Sequence, residues 1–380
     1  MLFLHFSSKF RLFRKFYCYT LDVNLYIMNI NSIKRQTYLS PLLFLCCVVI
    51  GVTQSKAQQA PTEEDMNVYL MVFHRDDTHS LHMALSRDGY TFTALNGSKP
   101  VIKGDTIAEQ KGIRDPHIYR GPDGAFYLAM TDLHIYAKQA GYRDTEWERE
   151  GYGWGNNRGL VLLKSKDLIH WKRANLRLDS QAPFFQDIGC AWAPQTTFDE
   201  EAGKLMVYFT MRHRTDAAKL YYVYINDDFD RLESTPHILF EYPDEKITAL
   251  DADITKVGDK YRMFYVSHDG VAGIKQAISD RANGGYTFDP RWYDPEPQAC
   301  EAPNVWKRIG EEKWVLMYDC YGQSIHNFGF SETTDFVNFK NLGQFNQGVM
   351  KTTNFTSPKH GAVIHLTKAE ADKLVEKWGL

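Results

Sequence analysis

Three carboxylates carry the chemical content of this chain: Asp115, Asp251 and Glu301. Each opens an apolar stretch, and each is followed by Pro or Ala. The three stretches read Arg114-Asp115-Pro116-His117-Ile118, Leu250-Asp251-Ala252-Asp253-Ile254 and Glu301-Ala302-Pro303-Asn304-Val305. Carboxylates brought together from distant positions repel one another, and at least one is forced to hold its proton to higher pH. A protonated acid facing an ionised base can protonate a leaving oxygen while a water is activated on the opposite face. Hydrolysis of a glycosidic bond requires that pairing. A single acid at a strand start is ordinarily structural, either a cap or a cation contact. Three acids in one pattern point to a site. Trp192-Ala193-Pro194-Gln195 opens a further stretch in the same manner without an acid.

A short repeated unit must position them. Five times an apolar strand runs into a small polar residue, an acid and a later aromatic or apolar residue. The copies are Ser86-Arg87-Asp88 with Phe92, Ser165-Lys166-Asp167 with Trp171, Asn226-Asp227-Asp228 with Leu232, Ser279-Asp280 with Phe288, and Ser331-Glu332 with Asp335 and Phe339. A strand-rich repeat of about 40–50 residues is the mark of a β-propeller. Each acid-bearing opening leads through a polar turn to an alternating strand, a hairpin signal. The fold class is therefore all-β: a single-domain, five-bladed propeller over residues 66–366. Innermost strands line a propeller's axis, so acids that open different blades converge. The first blade, with strands over Met66–Phe73, Leu81–Leu85 and Tyr90–Leu95, lacks an acid. A late strand at Ala362–Leu366 is expected to close the ring beside it. Residues 367–380 form a short C-terminal helix, with Thr367 and Glu370 as a capping box. Lys138–Arg158 interrupts one blade, and an excursion of that length is usually functional. Its Trp147, Tyr152 and Trp154 form either a sugar-stacking wall or a self-packed surface loop.

Bulk composition narrows the partners. A net charge of -3 gives no reason to expect nucleic acid. The aromatic share of 14% suits packed β-blades first and sugar stacking second. Residues 28–57 read as a secretory signal, with basic Lys34 and Arg35, an apolar Leu42–Val52 and a Ser55-Lys56-Ala57 cleavage site. The apolar run is too short for a membrane span. A lipoprotein signal at Leu43-Phe44-Leu45-Cys46 is disfavoured by bulky Leu45. Residues 1–27 read as an upstream extension and 58–65 as a flexible leader, so the expected location is periplasmic or secreted. Cys190, Cys300 and Cys320 remain in the mature chain. Cys300 and Cys320 lie near the open ends of an expected hairpin, which allows a disulfide or two buried thiols.

These motifs resemble glycoside hydrolase family 43, whose members are five-bladed propellers with an inverting mechanism. The resemblance covers about residues 66–366, with its motifs in order along the chain. It implies Asp115 as general base, Asp251 as the residue that raises the pKa of the acid and orients it, and Glu301 as general acid. Trp192-Ala193-Pro194 resembles the family's pocket element. Lys359-His360-Gly361 resembles its late histidine, which makes His360 the expected contact for a structural calcium ion in the central channel. No cofactor is expected in the chemistry. Arg114, Trp154, Trp192, Gln195 and Asp253 are the expected substrate contacts. Gln195 stands where many members have an acid or histidine. Asp253 shares a face with Asp251 by strand alternation, with Asp251 the favoured tuning residue. The implied function is a monomeric glycosidase removing single sugars, foremost α-L-arabinofuranosyl units, from plant polysaccharides. β-Xylosidase and galactan- or galactofuranose-directed activities stay open, as does a non-catalytic carbohydrate-binding propeller. A sialidase-like reading lacks the blade-start arginines it needs.

Overall fold

The computed structural model describes residues 60–142, 149–181 and 183–380. The expected upstream extension, the signal segment and Trp147 lie outside the described residues. The last part of the expected leader, Glu63–Asp65, is a 3-10 turn whose start is tied by the Thr62 N–H donating to Asp65 Oδ2 at 2.8 Å. No helix among the described residues is long and apolar enough to cross a membrane.

Five sheets form the blades of a propeller, antiparallel apart from a short parallel edge pair, Lys351–Thr352 beside Thr91–Ala94, in the first. Blade 2 is built from Ile113–Arg120, Phe126–Asp132, Gly159–Ser165 and Lys172–Arg177. Blade 3 follows with Ile188–Asp199, Lys204–His213, Lys219–Ile225 and His237–Phe240. Blade 4 comprises Ala249–Val257, Lys260–Ser267, Gly273–Ser279 and Thr287–Asp289, and blade 5 comprises Glu301–Lys307, Trp314–Cys320, Asn327–Thr333 and Lys340–Gln344. Blade 1 is the composite one. Its Met66–His74, His82–Ser86 and Thr91–Ala94 receive their innermost strand, Lys359–Thr367, from the far end of the chain. The register runs from Met66 opposite Thr367 to Phe73 opposite Gly361, so the ring closes as expected.

The second strand of each blade shows why the sequence folds this way. Val68, Leu70 and Val72 of blade 1 pack toward Phe126, Leu128 and Met130 of blade 2. Tyr69, Met71 and Phe73, on the other face of the same strand, pack toward Val315, Met317 and Phe330 of blade 5. Both faces of such a strand are buried, so its sequence is almost continuously apolar rather than alternating. The same two-sided burial recurs around the ring, giving one apolar cluster at each of the five blade interfaces. The C-terminal helix Lys368–Trp378 covers the blade 1–2 cluster with Ala371 and Leu374. Its capping box forms as expected, with the Thr367 N–H donating to Glu370 Oε2 at 2.8 Å.

The repeated polar phrase turns out to be the turn between the third and fourth strands. In blade 1, Asp88 Oδ1 accepts from the N–H groups of Tyr90 and Thr91 at 2.8 and 2.7 Å, and Gly89 behind it takes φ +69°. Asp167 does the same for Ile169 and His170. In blade 5 the phrase is offset from the expected copy. Thr333 and Asp335 make the turn, with Asp335 Oδ1 accepting from Val337 and Asn338. Glu332 instead pairs with buried Arg308 at 2.7 Å.

Candidate active site

A bulge in every innermost strand builds the pit. In blade 2, Arg114 is opposite Thr131 and His117 is opposite Ala129, so Asp115 and Pro116 share one partner position. The same skip falls between Trp192 and Gln195, Leu250 and Asp253, and Glu301 and Asn304, and the closing strand slips at His360. The first extra residue takes a left-handed φ each time: Asp115 at 52°, Ala193 at 45°, Asp251 at 50°, Ala302 at 52° and His360 at 34°. None is a glycine, so each is strained and must be held by its surroundings.

Neighbouring blades hold them. The Asp115 N–H donates to His74 Nδ1 at 3.1 Å, the Ala193 N–H to Thr131 Oγ1 at 2.9 Å, and the Asp251 N–H to Thr210 Oγ1 at 2.9 Å. The His360 N–H donates to Asp319 Oδ2 at 3.2 Å. In blade 4 the corresponding position is Val266, which has no acceptor, and the Ala302 N–H turns to the Asp251 carboxylate. A bulge re-aims the side chains around it. The result is two consecutive rings of side chains. Asp115, Asp251 and His360 come from the bulge position, and Arg114, Trp192, Leu250, Glu301 and Lys359 from the position before it. All eight line one cavity of about 820 Å³, the size of a small-molecule site. Glu301 is thus one step out of register with the other two acids.

His360 lies at the centre of the charges. Its Nδ1 is 3.2 Å from Asp115 Oδ1, and its Nε2 is 3.0 Å from Glu301 Oε1 and 3.7 Å from Asp251 Oδ2. Burial opposes its charge, but Asp115, Glu301 and Asp251 outweigh burial and lift the imidazole to about 10. Asp115 is held below the usual carboxylate range: burial pulls upward, and His360 and Arg114 pull down harder. The Thr131 hydroxyl also donates to Asp115 Oδ2 at 2.7 Å. Burial, with repulsion from Glu301 and Asp115, lifts Asp251 to about 7 against the pull of His360. Glu301 is driven low despite its burial, by His360 and by Lys359, whose Nζ is 3.3 Å away. The converging carboxylates are unequal, as expected, with Asp251 pushed toward its protonated form and Asp319, behind Glu301, pushed the same way by burial.

The expected substrate contacts divide. Arg114, Trp192 and Trp154 line the cavity. Arg114 is buried, with Nη1 2.6 Å from Asp76 Oδ1. Trp192 packs edge-on to Trp154 at 6.2 Å under the Arg212 guanidinium, and its Nε1–H donates to Gly155 O at 2.8 Å. The insertion is thereby tied to the pit. Trp154 is 67% exposed on the cavity wall, whereas Tyr152 is buried and donates to Asp187 Oδ1. Gln195 and Asp253 do not line the cavity. Gln195 Oε1 accepts from the Tyr208 hydroxyl, which accepts in turn from the Ile254 N–H. Asp253 accepts from the Val305 N–H and Asn304 Nδ2, both at 2.9 Å. Both residues stitch innermost strands together. Strand alternation put Asp253 beside Asp251, and the bulge at Asp251 breaks that alternation.

Asp76, His74, Asp319 and Lys359 escaped sequence reading. The first three have no motif of their own, and Lys359 is marked only as the neighbour of His360. Asp251, Glu301 and His360 offer ligand atoms within 4.8 Å of one another. That donor set fits calcium poorly. Calcium takes six to eight oxygens, and two carboxylates with one imidazole supply few of them.

A five-bladed propeller with a carboxylate-lined axial pit can host acid–base chemistry on a bound ligand. The probable glycosyl hydrolase domain family related to family 43 matches residues 64–372, and the chain belongs to it. That family is described as a probable glycosyl hydrolase domain. An α-L-arabinofuranosidase of Bifidobacterium longum subsp. longum is 26% identical over 136 residues, which is 34% of this chain and 11% of that protein. The chain therefore spans a small part of that relative's length. Among solved structures, the endo-arabinase from Bacteroides thetaiotaomicron superposes with a TM-score of 0.51 at 16% identity, over 70% of this chain and 88% of the other. The family-43 protein BlXynB from Bacillus licheniformis superposes at 0.50 with 15% identity, over 77% of this chain and 55% of the other. At those identities the likeness concerns the fold.

Proposed function

We propose that the protein is an exported, inverting, exo-acting glycosidase that removes single sugars, foremost α-L-arabinofuranosyl units, from plant polysaccharides. Glu301 is the general acid, Asp115 the general base, and Asp251 the group that tunes and orients Glu301. The observation that carries this reading is the placement of Asp115 and Glu301 on opposite nitrogens of one imidazole, at 3.2 and 3.0 Å. An intervening ring keeps the two carboxylates apart. That favours inversion, for which the carboxylates are about 6.5–9.5 Å apart, over retention at about 5–5.5 Å. An ionised Asp115, held by Arg114 and Thr131, suits a base.

Glu301 needs a proton before it can act as an acid. Asp251, at about 7, holds one beside it. Sugar hydroxyls that take over the Lys359 and His360 contacts weaken the hold of those cations on Glu301, and the proton passes from Asp251. Glu301 then protonates the glycosidic oxygen as Asp115 removes a proton from the attacking water. No step runs through a metal. Trp154 and Tyr136, exposed on the cavity wall, offer ring faces to the sugar. The choice of arabinofuranose leans on the name of the Bifidobacterium relative, and the export reading on the Lys34–Ala57 pattern.

The test is hydrolysis of aryl arabinofuranosides, xylosides, galactosides and galactofuranosides by the wild type and by Glu301→Gln and Asp115→Asn. Cleavage of the arabinofuranoside, with turnover lowered about 10²–10⁴-fold in both variants, is expected for an acid–base pair. Full activity in either variant on a cleaved substrate would remove that residue from its role.

A further inference from the structure

Beside the catalytic acid lies a pair of sulfurs that the reaction does not use. Glu301 and Asp319 are directly opposite in the hairpin formed by the first two strands of blade 5. One step further toward the open end, Cys300 faces Cys320, and the hairpin is held beyond them by the Gly322 N–H donating to Ala299 O at 3.0 Å. The Cys300 N–H goes across to Ala272 O of the neighbouring blade at 2.9 Å. The two cysteines are therefore not a hydrogen-bonded pair of the ladder. Opposed residues of that kind have Cα atoms about 4.5 Å apart, inside the range of about 4.4–6.8 Å that a disulfide needs. The sulfurs are 3.9 Å apart, both with zero exposure, in the cluster between blades 4 and 5. A bond between them needs a change of side-chain rotamer that closes this gap. Cys190, the third cysteine of the propeller, is buried in blade 3 among different neighbours.

We propose that Cys300 and Cys320 are a disulfide site that clamps the strand ends carrying Glu301 and Asp319. The oxidant is a disulfide of the thiol-exchange class. One cysteine thiolate attacks it, forming a mixed disulfide and expelling a thiolate. The second cysteine then attacks the mixed disulfide, expelling the other thiolate and closing the bond. Two protons and two electrons leave the pair, and the oxidant departs as two thiols. Burial of both sulfurs means that exchange occurs before blade 5 packs on blade 4 or through its local opening, and that the finished bond resists reductant. The clamp acts on the alignment of two strands. Asp319 accepts from the His360 N–H and lies 4.0 Å from Lys359 Nζ, so holding its strand against Glu301 also holds both cations that face the acid.

Two samples of the full chain test the site. The first is made with its own N-terminal segment in an exporting bacterial host and treated with N-ethylmaleimide before lysis. The second is made in a reducing cytoplasm and exposed to oxidised glutathione in mild denaturant. Both are then unfolded in N-ethylmaleimide, digested and mapped without reductant. The expected result in each is a Cys300–Cys320 linked peptide, lighter than the two free peptides by two hydrogens, with Cys190 alkylated. A link in the second sample alone upholds the site and refutes the export reading. Alkylation of both cysteines in both samples, or pairing of either with Cys190, overturns the proposal. A Cys300→Ser/Cys320→Ser variant gives an independent reading. It should melt several degrees below the oxidised protein and match the reduced one, and melting together with the oxidised protein would also overturn the clamp.

Discussion

His360 is a cation set among three acids, and the chemistry of the pit depends on its staying charged. The three acids raise the imidazole from 6.5 to about 10. Between those values the folded chain binds a proton that the unfolded chain has released. Folding is therefore fully supported by this group below about pH 6.5 and progressively less as pH rises toward 10. The melting temperature should fall across that window more steeply in the wild type than in His360→Gln. Parallel curves would mean that the ring is neutral in the fold. Lys359 acts on the same acid. Replacing it with Met removes an ammonium 3.3 Å from Glu301 and so raises the pKa of that carboxyl. If Glu301 is the general acid, the high-pH limb of the kcat profile, which reports the substrate complex, moves to higher pH in Lys359→Met, and a limb that stays in place would sink the assignment. Sequence showed the acids because each stands in a recurring phrase. It did not show Lys359, Asp319 or Asp76 as members of the site, because each joins through a spatial neighbour and no repeat marks them.

At the scale of the strand, the bulge decides what the pit contains. It turns Asp115 and Asp251 toward the axis, places Glu301 one position earlier, and sends Asp253 and Gln195 into the seams between strands. Nothing in the sequence announces it, since the usual sign of a left-handed residue is glycine and these positions are Asp, Ala and His. Strands, turns and their order were legible from periodicity and turn chemistry. The failure at Asp253 followed from counting by twos across a place where the count slips. The strain itself is testable at the alanine bulges, which carry no charge. A β-branched side chain at φ 52° is a genuine outlier. Ala302→Val should therefore cost about 1–3 kcal/mol in denaturant unfolding, whereas Ala302→Gly should change little, relief of strain offsetting the added freedom of the unfolded chain. Equal losses in the two variants would mean that packing against the alanine methyl, and not backbone geometry, governs the position.

Across the whole molecule, the order of the chain couples closure of the ring to completion of the site. The strand that seals blade 1, Lys359–Thr367, also delivers Lys359 and His360. Until it pairs with Met66–His74 the acids of blades 2, 4 and 5 face one another without the cations that let two of them ionise. The C-terminal helix reinforces that closure, since Arg120 of blade 2 grips Glu370 at 2.8 and 2.7 Å and donates to His365 O at 3.1 Å. Arg120 thus ties the first acid-bearing strand to the closing strand and its helix. Its guanidinium also lies 4.3 Å from the centre of the Phe126 ring, so the grip is anchored in the blade 1–2 core. Arg120→Ala should weaken closure by about 1.5–3 kcal/mol, the range for hydrogen bonds to charged groups, while leaving the pit chemically intact. The expected signature is amide exchange that quickens first in Met66–His74 and Lys359–Thr367, with turnover at low temperature unchanged. Uniform quickening across all five blades would instead mean that the ring opens only as one cooperative unit, with no weaker seam at the place where its two ends meet.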